Sequence, residues 1–427
     1  MRSKTMCFGL ALIAFMSGFR FHGSMTTSSD QAYAQTTGSL PLVQLSNLVY
    51  QGAFRIPQGP TDQTSFRYGG TALGYNPANN SLFMVGHDWY QRGAEISIPP
   101  IINSTNINSL NTATLLQQFA DATEGKLSQI NPSDPNPKKV GGQLVYGGKL
   151  YLTGYSYYDG SGSQTFSHFV SGTNLSVSND AQGPYQIGNW AGIVSGYMTN
   201  IPPEWQPLFG GPALTGNCCL SIISRTSLGP AASVFNPSDV GVKNPVPATP
   251  VVYYDINHPT LGACDTSYAQ YFNCSTQIRG LVFPGGTRSV LFWGSQGTGA
   301  WCYGTGGSSG GDCYDPANSY KGGHAYPYVY QVWAYDANDL LAVKKGQKNP
   351  WDIRPYAVWN YNLPFENPSD LHDVGGAAYD PATQKIYVSQ MCEDGCNPII
   401  HVFKVSVGTP PPSDTIRPSP PTALRGQ

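Results

Sequence analysis

Short apolar runs, each broken by a tight polar turn, recur along the chain. The segments GGTALGYNPANNSLFMVGHD (69–88), GGQLVYGGKLYLTGYS (141–156), RGLVFPGGTRSVLFWGSQ (279–296) and GGAAYDPATQKIYVSQ (375–390) share one form: glycine, an apolar stretch, a turn built from Pro, Asn, Asp or Gly, a second apolar stretch, and a polar tip. Short apolar runs bounded by such turns read as buried β-strands, and pairs of them read as hairpins. Aligned on their glycines, first strands begin near Gly69, Gly141, Ala191, Arg279 and Gly375, and second strands follow at 81–86, 149–154, 220–225, 289–294 and 385–390. Third strands are expected at Ala94–Pro99, Thr165–Val170, Ala231–Phe235, Tyr328–Tyr335 and Ile399–Val405, and fourth strands near 113–119, 174–178, 250–255 and 355–361. The last unit has no fourth strand of its own. At the other end of the chain, LVYQGAFRIP (48–57) is a strand without a hairpin partner.

Repeated four-stranded units whose missing strand is supplied by the N-terminus describe an all-β fold, a β-propeller closed by its first strand. The repeat counts five blades, and two units are long enough to hide another, so six or seven remain open. A β-sandwich of hairpins is the alternative, but it does not account for the complementary chain ends. Closure matters physically because an open sheet edge invites pairing with other chains.

From about residue 46 to 407 the sequence resembles the β-propeller superfamily. YQVWAYDANDLLAVKKG (330–346) and AAYDPATQKIYVSQ (377–390) look similar to segments of secreted bacterial propellers of unassigned function. Five-bladed members of the superfamily include secreted glycosidases, so the resemblance implies a carbohydrate as substrate or ligand. Residues 408–427 form a Pro-rich linker, and SDTIRPSPPTALRGQ (413–427) resembles the start of a fibronectin type III module.

Composition narrows the class. Only 11% of the 427 residues are charged, against 49 Gly, 35 Pro and 27 Tyr, a balance that suits short strands and turns better than amphipathic helices. A net charge of −2 offers no basic stripe for nucleic acid. Arg2 and Lys4 precede the apolar run Cys7–Phe19, and Ala32-Tyr33-Ala34 is a small-residue cleavage site, so residues 1–34 read as a signal peptide. That run is short of the ~20 residues a membrane span requires, and no membrane insertion is expected. The mature chain is expected to be secreted or periplasmic, and a monomer.

Of nine cysteines, Cys7 falls in the leader, and an even number remains for an oxidising compartment. Proximity favours Cys264–Cys274, Cys302–Cys313 and Cys392–Cys396, while Cys218 and Cys219 form either a vicinal bridge or bonds to other partners. A zinc site is the weaker reading, since paired CxxC motifs are lacking.

In a propeller, the loops joining second to third strands share a face with the loops joining blades. Here that face receives 122–138, 256–276, 297–325, 362–371 and 391–397, whereas most first-to-second turns are minimal. Long loops on a rigid scaffold are the usual place for binding and catalysis. The stretch 198–217 is the exception, read as an insertion on the other face or the rim. The repeat register puts Arg67, Lys139, Asn189, Gln277 and Asp373 at the first-strand starts, as a polar ring around the channel mouth. Second-strand ends add His87, Asp88 and Tyr155, and Glu393 follows in the loop bounded by Cys392 and Cys396.

Glycoside cleavage requires two carboxyl groups about 5–9.5 Å apart across the scissile bond. Asp88 and Asp373 are the candidate pair, because the last blade abuts the first, with Glu393 nearby and His87 and His372 beside the two aspartates. Arg67, Lys139, Asn189, Gln277, His87, His372, Trp89, Tyr155 and Trp301 are the candidate glycan contacts, the aromatic rings offering flat faces to sugars. A non-catalytic glycan-binding or adhesion module is the alternative and needs only the aromatic platform. No cofactor is expected. Histidines 87, 168, 258, 324 and 372 could converge with Asp88 or Asp373 on a divalent cation, and a structural calcium held by loop oxygens is the other metal reading.

Overall fold

The computed structural model describes residues 37–219, 225–264, 271–365 and 372–407; the expected leader and the Pro-rich tail lie outside them. No helix among the described residues is long and apolar enough to cross a membrane. The protein is all-β with few helices, and its sheets repeat one antiparallel meander. Strand β1 (Leu48–Arg55) comes first and is set aside. Unit I comprises β2 (Leu73–Asn76), β3 (Ser81–Val85), β4 (Gly93–Ser97) and β5 (Leu115–Ala120). Unit II comprises β6 (Lys138–Tyr146), β7 (Lys149–Ser156), β8 (His168–Gly172) and β9 (Gln182–Tyr185). Unit III comprises β10 (Met198–Asn200), β11 (Ala213–Thr215), β12 (Ala232–Phe235) and β13 (Ala248–Val252).

Unit IV begins with β14 (Gln277–Val282) and β15 (Ser289–Gly297). A small separate sheet interrupts it, made of β16 (Cys302–Gly307), β17 (Cys313–Tyr314) and β18 (Lys321–His324). Strands β19 (Tyr328–Asp336) and β20 (Ala357–Tyr361) then complete the unit. Unit V has β21 (Val374–Asp380), β22 (Lys385–Asp394) and β23 (Asn397–Val405), and β1 is its outer strand. The register of that last pairing runs from Leu48 opposite Val405 to Arg55 opposite Ile399, as the complementary chain ends imply. Units IV and V form one eight-stranded sheet through a single parallel pairing, Gly280 with Ala377.

The middle strands explain the continuous apolar runs. All of β3 and all of β15 are buried, because each is covered on both faces, whereas β5 alternates as an outer strand should. Apolar clusters fill the gaps between neighbouring units. Phe83, Leu152 and Phe169 pack between I and II, Leu144, Met198 and Phe235 between II and III, and Leu214, Phe292 and Trp333 between III and IV. Trp293, Val388 and Phe403 pack between IV and V, and Phe54, Met84 and Ile400 between V and I. The first strands also touch in a circle: β2 neighbours β6 and β21, β6 neighbours β10, β10 neighbours β14, and β14 neighbours β21.

The recurrent glycines stand where those first strands meet. A Cβ on Gly375 would collide with the carbonyl oxygen of Gly70, and one on Gly142 with that of Gly196. A Cβ on Gly280 would lie 2.6 Å from the Ala377 Cβ. Residues with side chains cannot be this close, so the motif is an axial collar rather than a set of turns.

Unit III departs from the repeat as read in the sequence. Residues Ala191–Ile193 form a 3-10 turn, the first strand starts at Met198, and β11 replaces the strand expected at 220–225, of which 220–224 lie outside the described residues. The supposed insertion is therefore the unit's own first hairpin. Pro202 and Pro203 stop β10, and a short helix α1 (Gln206–Phe209) ends on Gly210 at φ 68°. Trp205 is fully buried and donates to the Thr287 carbonyl at 2.9 Å, which fixes this long connection to unit IV. The strand expected at 174–178 is instead a turn whose Asn174 side chain accepts from the Ser176 amide at 3.0 Å; the fourth strand is β9.

Candidate functional site

Lys139, the second residue of β6, turns its ammonium toward the loop that follows β3. Its Nζ donates to Asp88 Oδ2 and to the Asp88 carbonyl, both at 2.6 Å, and lies 5.5 Å from the centre of the Trp89 ring. Gln91 completes the strap: its Nε2 donates to the Asp88 carbonyl at 2.5 Å, and its Oε1 accepts from the Val140 amide at 2.7 Å. Backbone and side chain of Asp88 are thus tied to unit II, while Trp89 stays 72% exposed.

Arg279 is the residue that the sequence reading did not single out for the site. Strands β6, β14 and β21 each carry a bulge at the same point, where Gly141, Arg279 and Gly375 are the extra residues. A bulge re-aims its side chain, and two of these positions have none. At the third, the guanidinium enters the field of Tyr155, Asp373 and Asp88. Burial works against its charge, but Tyr155, Asp373 and Asp88 together hold its pKa above the ordinary arginine value. Tyr155 is buried, and its phenol is pushed up by that burial, with Arg279 acting in the opposite sense. Gln277 adds its Oε1 as an acceptor 3.4 Å from Arg279 Nη2. The arginine at an otherwise glycine position was a legible signal.

A buried network approaches from the small sheet. His324 Nδ1 is 2.7 Å from Asp315 Oδ2, and the Tyr328 hydroxyl donates to the same oxygen at 2.6 Å. The Tyr328 phenol is pushed far up, first by burial, then by Asp315, with Asp373 contributing. This places Asp373 near the first residue of β19 as well as near Arg279.

Other candidates lie elsewhere. Arg67 is exposed and turned to Asp62, 3.3 Å away. Asn189 is exposed and precedes the 3-10 turn of unit III, nine residues before β10, so the expected ring is broken there. His87 is buried and accepts from the Trp89 amide at 3.2 Å; His372 is buried with its ring 4.9 Å from that of Tyr330. Trp301 is half-buried against Gly323, not an open platform. Glu393 is partly buried near the end of β22, and its neighbour Asp394 is bound to Arg55 at 2.7 Å.

The histidines do not converge: His168 bonds Ser167 and Thr215, His258 pairs with Asp255, and His324 with Asp315. Among the described residues no group of three or more His, Cys, Asp or Glu could hold a metal. The disulfides are Cys218–Cys219, Cys264–Cys274, Cys302–Cys313 and Cys392–Cys396. A cavity of about 380 Å³ does lie on the axis, but at the opposite end, among the feet of the first strands, and none of the sequence candidates lines it.

No protein-family model and no curated protein matches the sequence. Solved structures that resemble the chain include a glycosyl hydrolase from Bacteroides ovatus, at 11% identity and TM-score 0.43, covering 85% of this chain and 96% of that one. A GH43 endo-arabinanase from Bacillus licheniformis resembles it at 9% identity and TM-score 0.39, over 81% and 95%. Raptor from Chaetomium thermophilum does so at 10% identity and TM-score 0.32, over 90% of this chain but only 31% of Raptor's.

Proposed function

We propose that the units are five blades of a closed, exported β-propeller whose loop face holds an extracellular glycan at the mouth around Arg279. The observation that carries this reading is the cluster itself: Asp88 and Asp373 act on one guanidinium, with Lys139 and the exposed Trp89 ring at its edge. Sugars offer hydroxyls to charged hydrogen-bonding groups and C–H faces to aromatic rings. Exposed Tyr157, Tyr158, Tyr303 and Tyr320 add ring surface on strands and loops of the same face.

Holding is favoured over cutting. Asp88 is ion-paired to Lys139, and Asp373 sits in the field of Arg279. Asp88 is thereby committed as a tie between two units, and its carboxylate is not free to approach a scissile bond. Cleavage by Asp88 and Asp373 is the second reading, supported by the guanidinium that both aspartates share. Glycan-array binding and reducing-end release, measured on the same protein, separate the two. Binding without release, lost in Trp89→Ala and Arg279→Gln but kept in Asp373→Asn, is the outcome expected. Turnover abolished by Asp373→Asn would establish the second reading instead, and an array without hits would overturn both.

A further inference from the structure

The axial cavity at the turn face is separate from the proposed glycan mouth. Between them lies the collar of glycines, where first-strand backbones touch and leave no room for a side chain. Below the collar the strands diverge, and the space of about 380 Å³ falls within the usual range of small-molecule sites, roughly 300–1,000 Å³. Four of the first strands have an aromatic at or beside their last residue that lines it: Tyr75, Tyr146, Phe283 and Tyr379. Among the described residues no charged side chain lines it.

We propose that this cavity is a second binding site, for a neutral molecule of one or two rings. Ring walls select a flat apolar body. The absence of charged lining selects neutrality, because an ion would lose its hydration without compensation.

The probe is N-phenylnaphthylamine, neutral with one N–H, compared with anilinonaphthalene sulfonate, which has the same rings and a negative charge. The full chain is expected to bind one equivalent of the neutral probe with a blue-shifted emission, and the sulfonate at least about tenfold more weakly. Gly285→Trp should abolish binding with the melting temperature unchanged, because Gly285 lines the cavity and a Cβ there meets only Glu204 Oε1, at 3.9 Å. Trp89→Ala, on the other face, should leave probe binding intact. No binding, equal binding of the sulfonate, or binding that survives Gly285→Trp overturns the proposal.

Discussion

The Lys139 ammonium bridges two units by gripping Asp88 twice, through the carboxylate and through the main-chain carbonyl, each at 2.6 Å. The lysine side chain is nearly buried and the aspartate side chain is not. The two substitutions should therefore differ. Asp88→Asn leaves Lys139 its carbonyl partner and is expected to cost less than about 1 kcal/mol. Lys139→Met removes the donor to both Asp88 oxygens and leaves Gln91 as the remaining side-chain link of the strap, at a cost of roughly 1–3 kcal/mol. Urea melts of both variants check this, and equal losses would show that only the surface ion pair matters.

Ring closure rests on β1. Its residues Ala53 and Phe54 are fully buried, and Phe54 joins Met84 and Ile400 in the cluster between units V and I. Deleting 46–57 would bare the edge of β23 and open that cluster, so the truncated protein is expected to self-associate and melt earlier. Size-exclusion chromatography with light scattering reads the first effect. A truncated chain that keeps the parent's size and melting temperature would refute closure.

The hairpin repeat was legible because middle strands such as β15, SVLFWGSQG, are buried on both faces and leave an unbroken apolar run. The closing strand was legible because two incomplete ends matched, and three disulfides because each joins cysteines close in sequence, whereas the Cys218–Cys219 pairing stayed open between two readings. Unit III was misread because Ala191–Tyr197 has a strand's composition but forms a 3-10 turn and a link, while the true hairpin hides behind Pro202 and Pro203. The mouth was half legible. Register found Asp88, Lys139, Gln277 and Asp373, but not the bulge that turns Arg279 inward, since bulges are made by the backbone. Arg67 failed because a polar residue at a strand start can turn to its own loop, as this one does toward Asp62.

Two buried histidines should shape the acid limb of stability. Burial lowers the pKa of His168 and of His401 from 6.5 to about 3. Both are neutral in the fold, so below pH 6.5 the unfolded chain takes up protons that the folded chain refuses. Their contribution is present above pH 6.5 and is lost as the pH falls from there toward 3, each at a slope approaching about 1.4 kcal/mol per pH unit. His401→Asn, which gives up the Tyr50 and Gln390 partners, should be less stable at pH 7 yet show a shallower acid decline. Denaturant melts at pH 7, 5 and 4 test it; parallel pH profiles would contradict the assignment.

The Cys302–Cys313 bond ties β16 to β17 in the small sheet over the loop face. Replacing both cysteines by serine is expected to cost roughly 2–4 kcal/mol in the loop-closure account, confined at first to that sheet. Hydrogen exchange should show residues 302–324 opening before the apolar clusters between units. Non-reducing peptide mapping that links Cys302 to Cys264 would reject the pairing, and unchanged protection of 302–324 would reject its role.

The collar gives the sharpest test of why glycine recurs. Gly375 has no room for a Cβ: the obstacle is the carbonyl oxygen of Gly70, a backbone atom of the neighbouring unit that cannot rotate away. Gly310 lies in an exposed turn, where an added Cβ meets nothing within 4 Å. Both substitutions to alanine add one methyl group and change no charge. Gly310→Ala should therefore fall within about 0.5 kcal/mol of the parent, and Gly375→Ala should lose at least roughly 1–3 kcal/mol through forced backbone movement. Because Gly375 precedes the residues of β21 that face Gly280, that movement should also disturb Arg279 at its bulge, so Gly375→Ala should weaken glycan binding when folded at low temperature. If Gly375→Ala melts with the parent, the first strands do not meet at that point, and the repeated glycines need another cause.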